Sequence, residues 1–273
     1  IKNKQNDFQV KFIDHLSKRN LLDAYRNARK RLLLLDYDGP LVSFAPNPVL
    51  AGPDQALLNL LSGLGSVQGN DVYLISGRSS VWLDKHFGTM PVNLVSEHGA
   101  RFKGKGSDWI TQVQAPSEWK EHVHHLMEIY VRRCANSFIE EKDFSIVWHY
   151  RNANTDQGKL RALELASELH EYARHRQLEV LPGNKIVEVR NSGTDKGTAI
   201  KKILSRNEYD FIFAVGDDRT DEDMFRQLAS KENSFTIKVG ADASYAHYNL
   251  HTPQMVISLL EGLNHLSSPA LIP

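Results

Sequence analysis

Four consecutive leucines, Leu32 to Leu35, run straight into Asp36-Tyr-Asp38-Gly39, and no other stretch constrains the chain as much. An unbroken apolar run of this length reads as a strand buried on both faces, the pattern of a central strand in a parallel sheet. In open α/β sheets the reactive groups gather beyond the carboxyl ends of the strands. Asp36 and Asp38 stand at that end, which suits a nucleophile or metal ligand with a second carboxylate for acid–base work. A loop of surface carboxylates is the alternative.

A second apolar run, Phe211 to Val215, ends in Gly216 and then Asp217, Asp218 and Asp221. Clustered carboxylates repel one another unless a cation or proton separates them, and an all-oxygen set suits Mg²⁺ better than zinc. Acids also favour a helix N-terminus, here that of a helix expected over 222–229. That accounts for one or two of them and leaves the parallel with the first strand unexplained. Together the two segments predict a Mg²⁺-dependent phosphoryl-transfer site.

Two further segments supply what such a site needs. Val72 to Ile75 reads as a third strand, closed by Ser76-Gly77-Arg78 and a helix-like stretch over 79–87. A hydroxyl and free amides at that helix start could hold phosphate oxygens, although a Ser-Gly-Arg turn alone is weak. Thr194-Asp-Lys-Gly197 places Lys196 near the start of a helix over 198–204, where a lysine neutralises phosphate as a compact point charge. A solvated surface lysine is the plain alternative.

In this order the segments resemble the four motifs of haloacid dehalogenase-type phosphatases. They are most similar to the trehalose-6-phosphate phosphatases, through Leu-Asp36-Tyr-Asp-Gly, Ile-Ser76-Gly-Arg, Ser96-Glu-His-Gly99, Glu140-Glu-Lys142, His149-Tyr-Arg151, Val187-Glu-Val-Arg190 and the segment 216–225. The resemblance implies that Asp36 attacks phosphorus, and that Asp38 protonates the leaving sugar oxygen and then activates water. It implies phosphate contacts from Ser76, Gly77 and Lys196. Mg²⁺ would be held by Asp36, the Asp38 carbonyl and Asp217, with Asp221 supporting or ligating. Sugar contacts would come from Arg78, Glu140, Lys142, Arg151 and Glu188. One residue departs from the pattern: Pro40 stands where the family carries threonine. Proline lacks a hydroxyl and an N–H, fixes its own φ, and biases the preceding Gly39 toward extended geometry.

The expected fold is α/β, a doubly wound, mostly parallel sheet with a smaller α/β cap inserted. Residues 1–30, with Phe8, Phe12, Ile13 and Leu16 at helical spacing, read as an amphipathic helix and linker. They look like the joint before the phosphatase part of bifunctional synthase–phosphatase chains, with an ordinary terminal helix packed on the core as the alternative. Residues 31–114 and 188–273 form the core, with 45–48 and 104–107 as loops. The cap, 115–187, begins with a helix capped by Ser117 and striped by Trp119, Val123, Leu126, Met127, Tyr130, Val131 and Cys134. Strands over 138–140 and 145–150 follow. A helix over 156–176 then turns Leu160, Leu163, Ala166 and Leu169 to one face, and a hairpin at 178–181 and 185–189 closes the insertion. His122, His124 and His125 lack zinc-like spacing with any cysteine or carboxylate pair, so no metal is expected there.

Charge and cysteine usage narrow the function classes. Lys plus Arg and Asp plus Glu are both 33, so no global basic field points to nucleic acid. No stretch approaches the roughly 20 apolar residues of a membrane span. A single cysteine, Cys134, excludes an internal disulfide and fits a reducing, cytoplasmic setting. No signal peptide is evident, and the first residue is not methionine. The expected partners are a small-molecule sugar phosphate and a trehalose-phosphate synthase domain or subunit. Hydrolysis of another sugar phosphate, such as sucrose phosphate, and a catalytically silent, sugar-phosphate-binding role marked by Pro40 are the competing readings.

Overall fold

The computed structural model describes residues 10–43, 52–112 and 116–267. The chain divides into two compact units, one of residues 1–110 and 196–273 and the other of residues 111–195.

The larger unit is built around β1 (Arg31–Asp36), whose Leu32 to Leu35 are all fully buried. Side chains alternate across a strand, and the run fills both faces. Leu33 and Leu35 meet α1 (His15–Asn27), α2 (Gln55–Ser66), α3 (Ser80–Phe87) and α8 (Pro253–Ser267). Leu32 and Leu34 meet α6 (Lys196–Arg206) and α7 (Asp221–Leu228). Each buried leucine contributes about 1.5–3 kcal/mol, which makes this run the anchor of a doubly wound layer structure.

β1 lies between β2 (Asn70–Ile75) and β10 (Phe211–Gly216), parallel to both. β3 (Asn93–Ser96) continues the parallel sheet beyond β2, and β11 (Ser234–Val239) and β12 (Tyr248–Leu250) continue it beyond β10. Antiparallel β4 (Arg101–Lys103) and then β5 (Trp109–Thr111) complete the eight strands. Successive strands therefore leave β1 in opposite directions. That makes its carboxyl end a topological switch point, where open α/β sheets leave a crevice.

The N-terminal segment departs from expectation. Asp14 caps α1 by accepting from the Ser17 amide at 2.6 Å, so the helix starts after Phe12. Phe12 is extended, bridged to Asn249 and stacked on His251 at 3.8 Å. Pairing with the edge strand overrode the helical spacing. Phe8 and the loop at 45–48 lie outside the described residues.

The second unit is an antiparallel sheet with two helices against it. Its strands are β6 (Phe138–Glu141), β7 (Ser145–His149), β8 (Leu178–Gly183) and β9 (Ile186–Asn191), ordered β6-β7-β9-β8. α4 (Trp119–Arg133) and α5 (Thr155–Ala173) share a core with Ile146, Trp148, Val180, Val187 and Val189. β9 pairs along its length with β7 and β8. The boundary therefore falls after Asp195, not after residue 187, because a strand cannot be divided from its sheet.

Two helix details also differ. Ser117 makes no side-chain cap, and its carbonyl instead accepts from the Lys120 amide at 3.0 Å. On α5 the buried face carries Ala162, Leu165, Ala166, Leu169 and Ala173, while Leu160 and Leu163 are 53% and 73% exposed. Alanines admit closer approach of helix to sheet than leucines would, and the packing follows them. Among the described residues no helix is long and apolar enough to cross a membrane.

Candidate active site

Strand register brings three of the four motifs side by side. Asp36 lies opposite Ile75, the residue before Ser76, and Leu35 lies opposite Val215, two residues before Asp217. The fourth, Lys196, opens α6. Its ammonium is fully buried, 2.9 Å from Asp36 Oδ1 and 2.7 Å from Asp221 Oδ1. The other oxygen of Asp221 accepts from the Asp217 and Asp218 amides at 2.9 and 3.0 Å. Asp221 thus ties the end of β10 to the lysine, with both oxygens engaged.

Glycines permit this crowding. A Cβ on Gly216 would meet the Asp221 carboxyl at 2.1 Å, and one on Gly39 would meet that of Asp217 at 2.2 Å. Gly39 has φ +100°, a conformation that L side chains rarely adopt. It is therefore not in the extended geometry that Pro40 favours; close approach to Asp217 decides the turn. Gly77 has the same role against the His98 ring, at 2.6 Å from its virtual Cβ.

The electrostatics call for a cation beyond Lys196. Burial first, then Asp221, push the Asp36 carboxyl well above its ordinary range, although Lys196 opposes the shift. Burial, followed by Asp221 and Asp218, lifts Asp217 to about 8. Burial also pushes Asp218 up, but Lys196 and the Thr220 hydroxyl and amide outweigh it and hold that group below its usual value. Asp217 Oδ1 is buried with no hydrogen-bond partner. Oxygens of Asp36, Asp217 and Asp221 lie within 4.8 Å of one another. A divalent cation fits this donor set and would satisfy the orphaned oxygen.

Ser76 is buried at 1% exposure, and its Oγ accepts from the Arg78 amide at 3.1 Å, which aligns the hydroxyl with the loop entering α3. Arg78 makes a two-point contact with Asp38, Nε to Oδ2 at 2.8 Å and Nη2 to Oδ1 at 2.6 Å.

In the second unit, cross-strand register places Glu140 and Glu188 on either side of Val147. Since Val187 and Val189 point into the core, this line lies on the sheet face away from the helices. Lys142 Nζ is 4.0 Å from Glu188 Oε1, and Glu140 Oε2 is 2.8 Å from His149 Nε2. Arg151 donates to the Asn184 carbonyl at 2.7 Å.

Sequence reasoning missed two supports. Lys238 on β11 donates to the Asp218 carbonyl at 3.1 Å and pairs with Glu222 at 3.3 Å. A lysine inside a strand gives no signal that its ammonium reaches a neighbouring loop. The Trp82 ring lies under the Arg78 guanidinium, 4.3 Å from its carbon. Here a signal existed, since an aromatic four residues after an arginine at a helix start is positioned to stack.

Paired carboxylates at a switch point, a buried lysine and a serine-bearing turn make up the layout expected above of a haloacid dehalogenase-type phosphatase. Residues 34–254 match the family model described as trehalose-phosphatase. A bifunctional trehalose-6-phosphate synthase/phosphatase of Thermoproteus tenax is 38% identical over 254 residues, 93% of this chain and 34% of that protein. A trehalose-phosphatase of Schizosaccharomyces pombe is 36% identical over 274 residues, 94% of this chain and 33% of that protein. The solved C-terminal domain of the C. albicans trehalose-6-phosphate phosphatase matches with a TM-score of 0.88 at 30% identity, over 94% of this chain and 100% of that one. The chain belongs to the trehalose-phosphatase family. It spans about a third of the length of the curated relatives it matches.

Proposed function

We propose that this chain hydrolyses trehalose 6-phosphate to trehalose and inorganic phosphate, in trehalose biosynthesis, through an aspartyl phosphate on Asp36. The observation that carries the reading is the convergence of Asp36, Asp217, Asp221 and Lys196 at the switch point of a trehalose-phosphatase-family chain. Phosphoryl transfer needs mainly positioning and neutralisation of the equatorial oxygens, and the site supplies both.

In the first step an Asp36 oxygen attacks phosphorus, the bond from phosphorus to the sugar oxygen breaks, and that oxygen takes the Asp38 carboxyl proton. In the second, a water oxygen attacks the phosphoryl group as its proton passes to Asp38, releasing phosphate and restoring the Asp36 carboxylate. Ser76, the Gly77 amide and Lys196 hold the transferring oxygens. Asp36, Asp217 and the Asp38 carbonyl would hold Mg²⁺, with Asp221 orienting the loop and available to ligate. When bound, the cation supplies neutralisation of the developing phosphoryl charge.

Glu140, Lys142, Arg151 and Glu188 act as hydroxyl partners of the disaccharide, since carboxylates accept from hydroxyls and Lys or Arg donates to them. The bifunctional relative supports a trehalose-phosphate synthase domain as partner. The one buried cysteine, Cys134, accords with a cytoplasmic setting. Phosphate release from trehalose 6-phosphate, with Mg²⁺ and with chelator, tests the reading directly. Activity only on another sugar phosphate would move the substrate, and full activity in chelator would remove the metal.

Pro40 favours one competing reading, a silent sugar-phosphate-binding role. Against it stands the presence of every side chain assigned to the chemistry.

A further inference from the structure

Arg78 is held within its own unit both at the edge of its guanidinium and on its flat face. In the plane of the guanidinium, Nε and Nη2 each donate to a different oxygen of Asp38, at 2.8 and 2.6 Å. Against its flat face lies the Trp82 indole, 4.3 Å from the guanidinium carbon. Trp82 is itself fixed: Ser79 Oγ accepts from its amide at 3.3 Å, and the Tyr37 ring lies 5.2 Å away. The Arg78 side chain is only 11% exposed. Two parallel hydrogen bonds hold a carboxylate in plane and in register, which neither a lysine nor a single bond does.

A carboxylate offers about four acceptor positions. Arg78 takes two, and one on each oxygen remains for the proton that Asp38 must deliver and recover. Among the described residues Asp38 has no comparable tie to its own strand: its side chain is held by Arg78, and its backbone bridges Val42 across a tight turn. The orientation of the acid–base group is thus set by the neighbouring loop. The loop that presents Ser76 to the phosphate therefore also aims the proton donor at the leaving oxygen.

We propose that Arg78, braced by Trp82, is a positioning residue that fixes the Asp38 carboxyl for proton transfer to the leaving group. This deepens the phosphatase reading and rests on it, but it requires no particular sugar.

Leaving-group dependence separates positioning from binding. A p-nitrophenolate departs without a proton, phenolate is helped by one, and an alkoxide requires one. kcat/KM on a series of esters reports only the steps through leaving-group departure, so the later attack of water does not blur it. The unmodified chain, Arg78→Lys, Trp82→Leu and Trp82→Phe are compared on p-nitrophenyl phosphate, phenyl phosphate and trehalose 6-phosphate. We expect Arg78→Lys and Trp82→Leu to leave p-nitrophenyl phosphate within a fewfold of the parent. On phenyl phosphate and trehalose 6-phosphate they should fall on the order of 10- to 100-fold, part of the roughly 10²–10⁴ that general acid catalysis contributes. The fall should appear in kcat/KM without a rise in KM, and Trp82→Phe should recover most of it. Thermal melting at parental temperatures confirms that the variants are folded.

An equal fall on all three esters, or a rise in KM confined to trehalose 6-phosphate, would overturn the proposal in favour of a structural or sugar-binding role. A parent that is active and variants that keep its leaving-group dependence would overturn the clamp while leaving the phosphatase reading intact. A parent inert on every ester would overturn both.

Discussion

In the larger unit the ammonium of Lys196 lies 2.9 Å from Asp36 and 2.7 Å from Asp221, whereas in the inserted unit that of Lys142 stands 4.0 Å from Glu188. The first lysine sits in a cluster closed by backbone amides and by glycines that exclude any larger residue. The second belongs to a looser set in the inserted unit, in which Lys142 stands near Glu188, Glu140 meets His149 and Arg151 donates to the Asn184 carbonyl. Close packing at strand ends leaves a reacting group no freedom. A looser set tolerates adjustment and offers several hydroxyl partners at once. Rigid geometry suits bond making, and the looser set suits recognition. The two regions should therefore fail differently when altered.

The largest effect belongs to Asp36. Asp36→Asn removes the nucleophile while keeping the residue's shape, and we expect loss of all measurable turnover on every ester with thermal melting preserved. Phosphate release at the parental rate by a folded variant would end the aspartyl-phosphate reading. Asp38→Asn should cost on the order of 10²–10⁴ in rate on trehalose 6-phosphate.

How far these regions could be read beforehand follows the same contrast. β1 and β10 were legible because an apolar run that stops dead at a carboxylate fits little besides a buried strand opening onto a site, and their parallel register then brings Asp36 beside Asp217. Glu140, Lys142 and Glu188 are candidates only through family likeness. A charge alternating with apolar residues on an antiparallel strand looks the same whether it faces a sugar or water. Phe12 departs from its helical spacing because strand pairing with Asn249 is a tertiary fact, and Leu160 and Leu163 face outward because packing on α5 favours small residues over large ones. Lys238 acts across elements, which no local pattern reveals, whereas Trp82 stands four residues after Arg78 and its stacking has a local signature.

Asp217 sharpens the comparison through stability as well as rate. Asp217→Asn removes an anionic donor, and the Mg²⁺ requirement should rise by more than the roughly 10–100-fold that follows loss of an outer-shell partner. In the metal-free protein the Asp217 carboxyl titrates near 8, far above the ordinary value of about 3.9. Between those values the folded state binds the proton more tightly than the unfolded one, so stability falls as pH rises through that window. Melting temperatures in chelator should therefore decline from about pH 5 to about pH 8, with a shallower slope in Asp217→Asn. Magnesium should stabilise the parent and have much less effect on the variant. An unchanged slope in Asp217→Asn would show that the destabilising charge lies elsewhere.

Substitutions in the inserted unit should discriminate between substrates where those above do not. Alanine at Glu140, Lys142, Arg151 or Glu188 should lower hydrolysis of trehalose 6-phosphate by on the order of 10- to 100-fold, a loss of about 1.4–2.7 kcal/mol of transition-state stabilisation. Hydrolysis of p-nitrophenyl phosphate should change by only a fewfold, because a small ester never uses remote sugar contacts. Equal losses on both substrates would mean that these charges serve folding or chemistry, and the division of labour between the two regions would fail.

The smallest effect is expected at Pro40, where the larger unit departs from its family's pattern. Pro40 is buried in a turn in which Tyr37's carbonyl accepts from both the Leu41 and Val42 amides at 3.2 Å, and the Gly39 amide donates to Val42 at 2.8 Å. The turn is thus closed on both sides of the proline without any contribution from residue 40. A threonine hydroxyl there would add one neutral hydrogen bond beside the Asp36–Asp38 loop, worth about 0.5–1.5 kcal/mol, or roughly tenfold in rate at the upper end. Releasing the fixed φ should at the same time cost about 0.4–1 kcal/mol of stability through the unfolded chain. Pro40→Thr is therefore expected to raise kcat on trehalose 6-phosphate modestly, to lower the melting temperature slightly, and to leave the ratio of trehalose 6-phosphate to p-nitrophenyl phosphate hydrolysis unchanged. Equal gains on both esters would place the effect in the loop that carries the chemistry. If the parent proves inert and Pro40→Thr gains several orders of magnitude, the residue is a catalytic off-switch, and the silent-partner reading takes the place of the phosphatase.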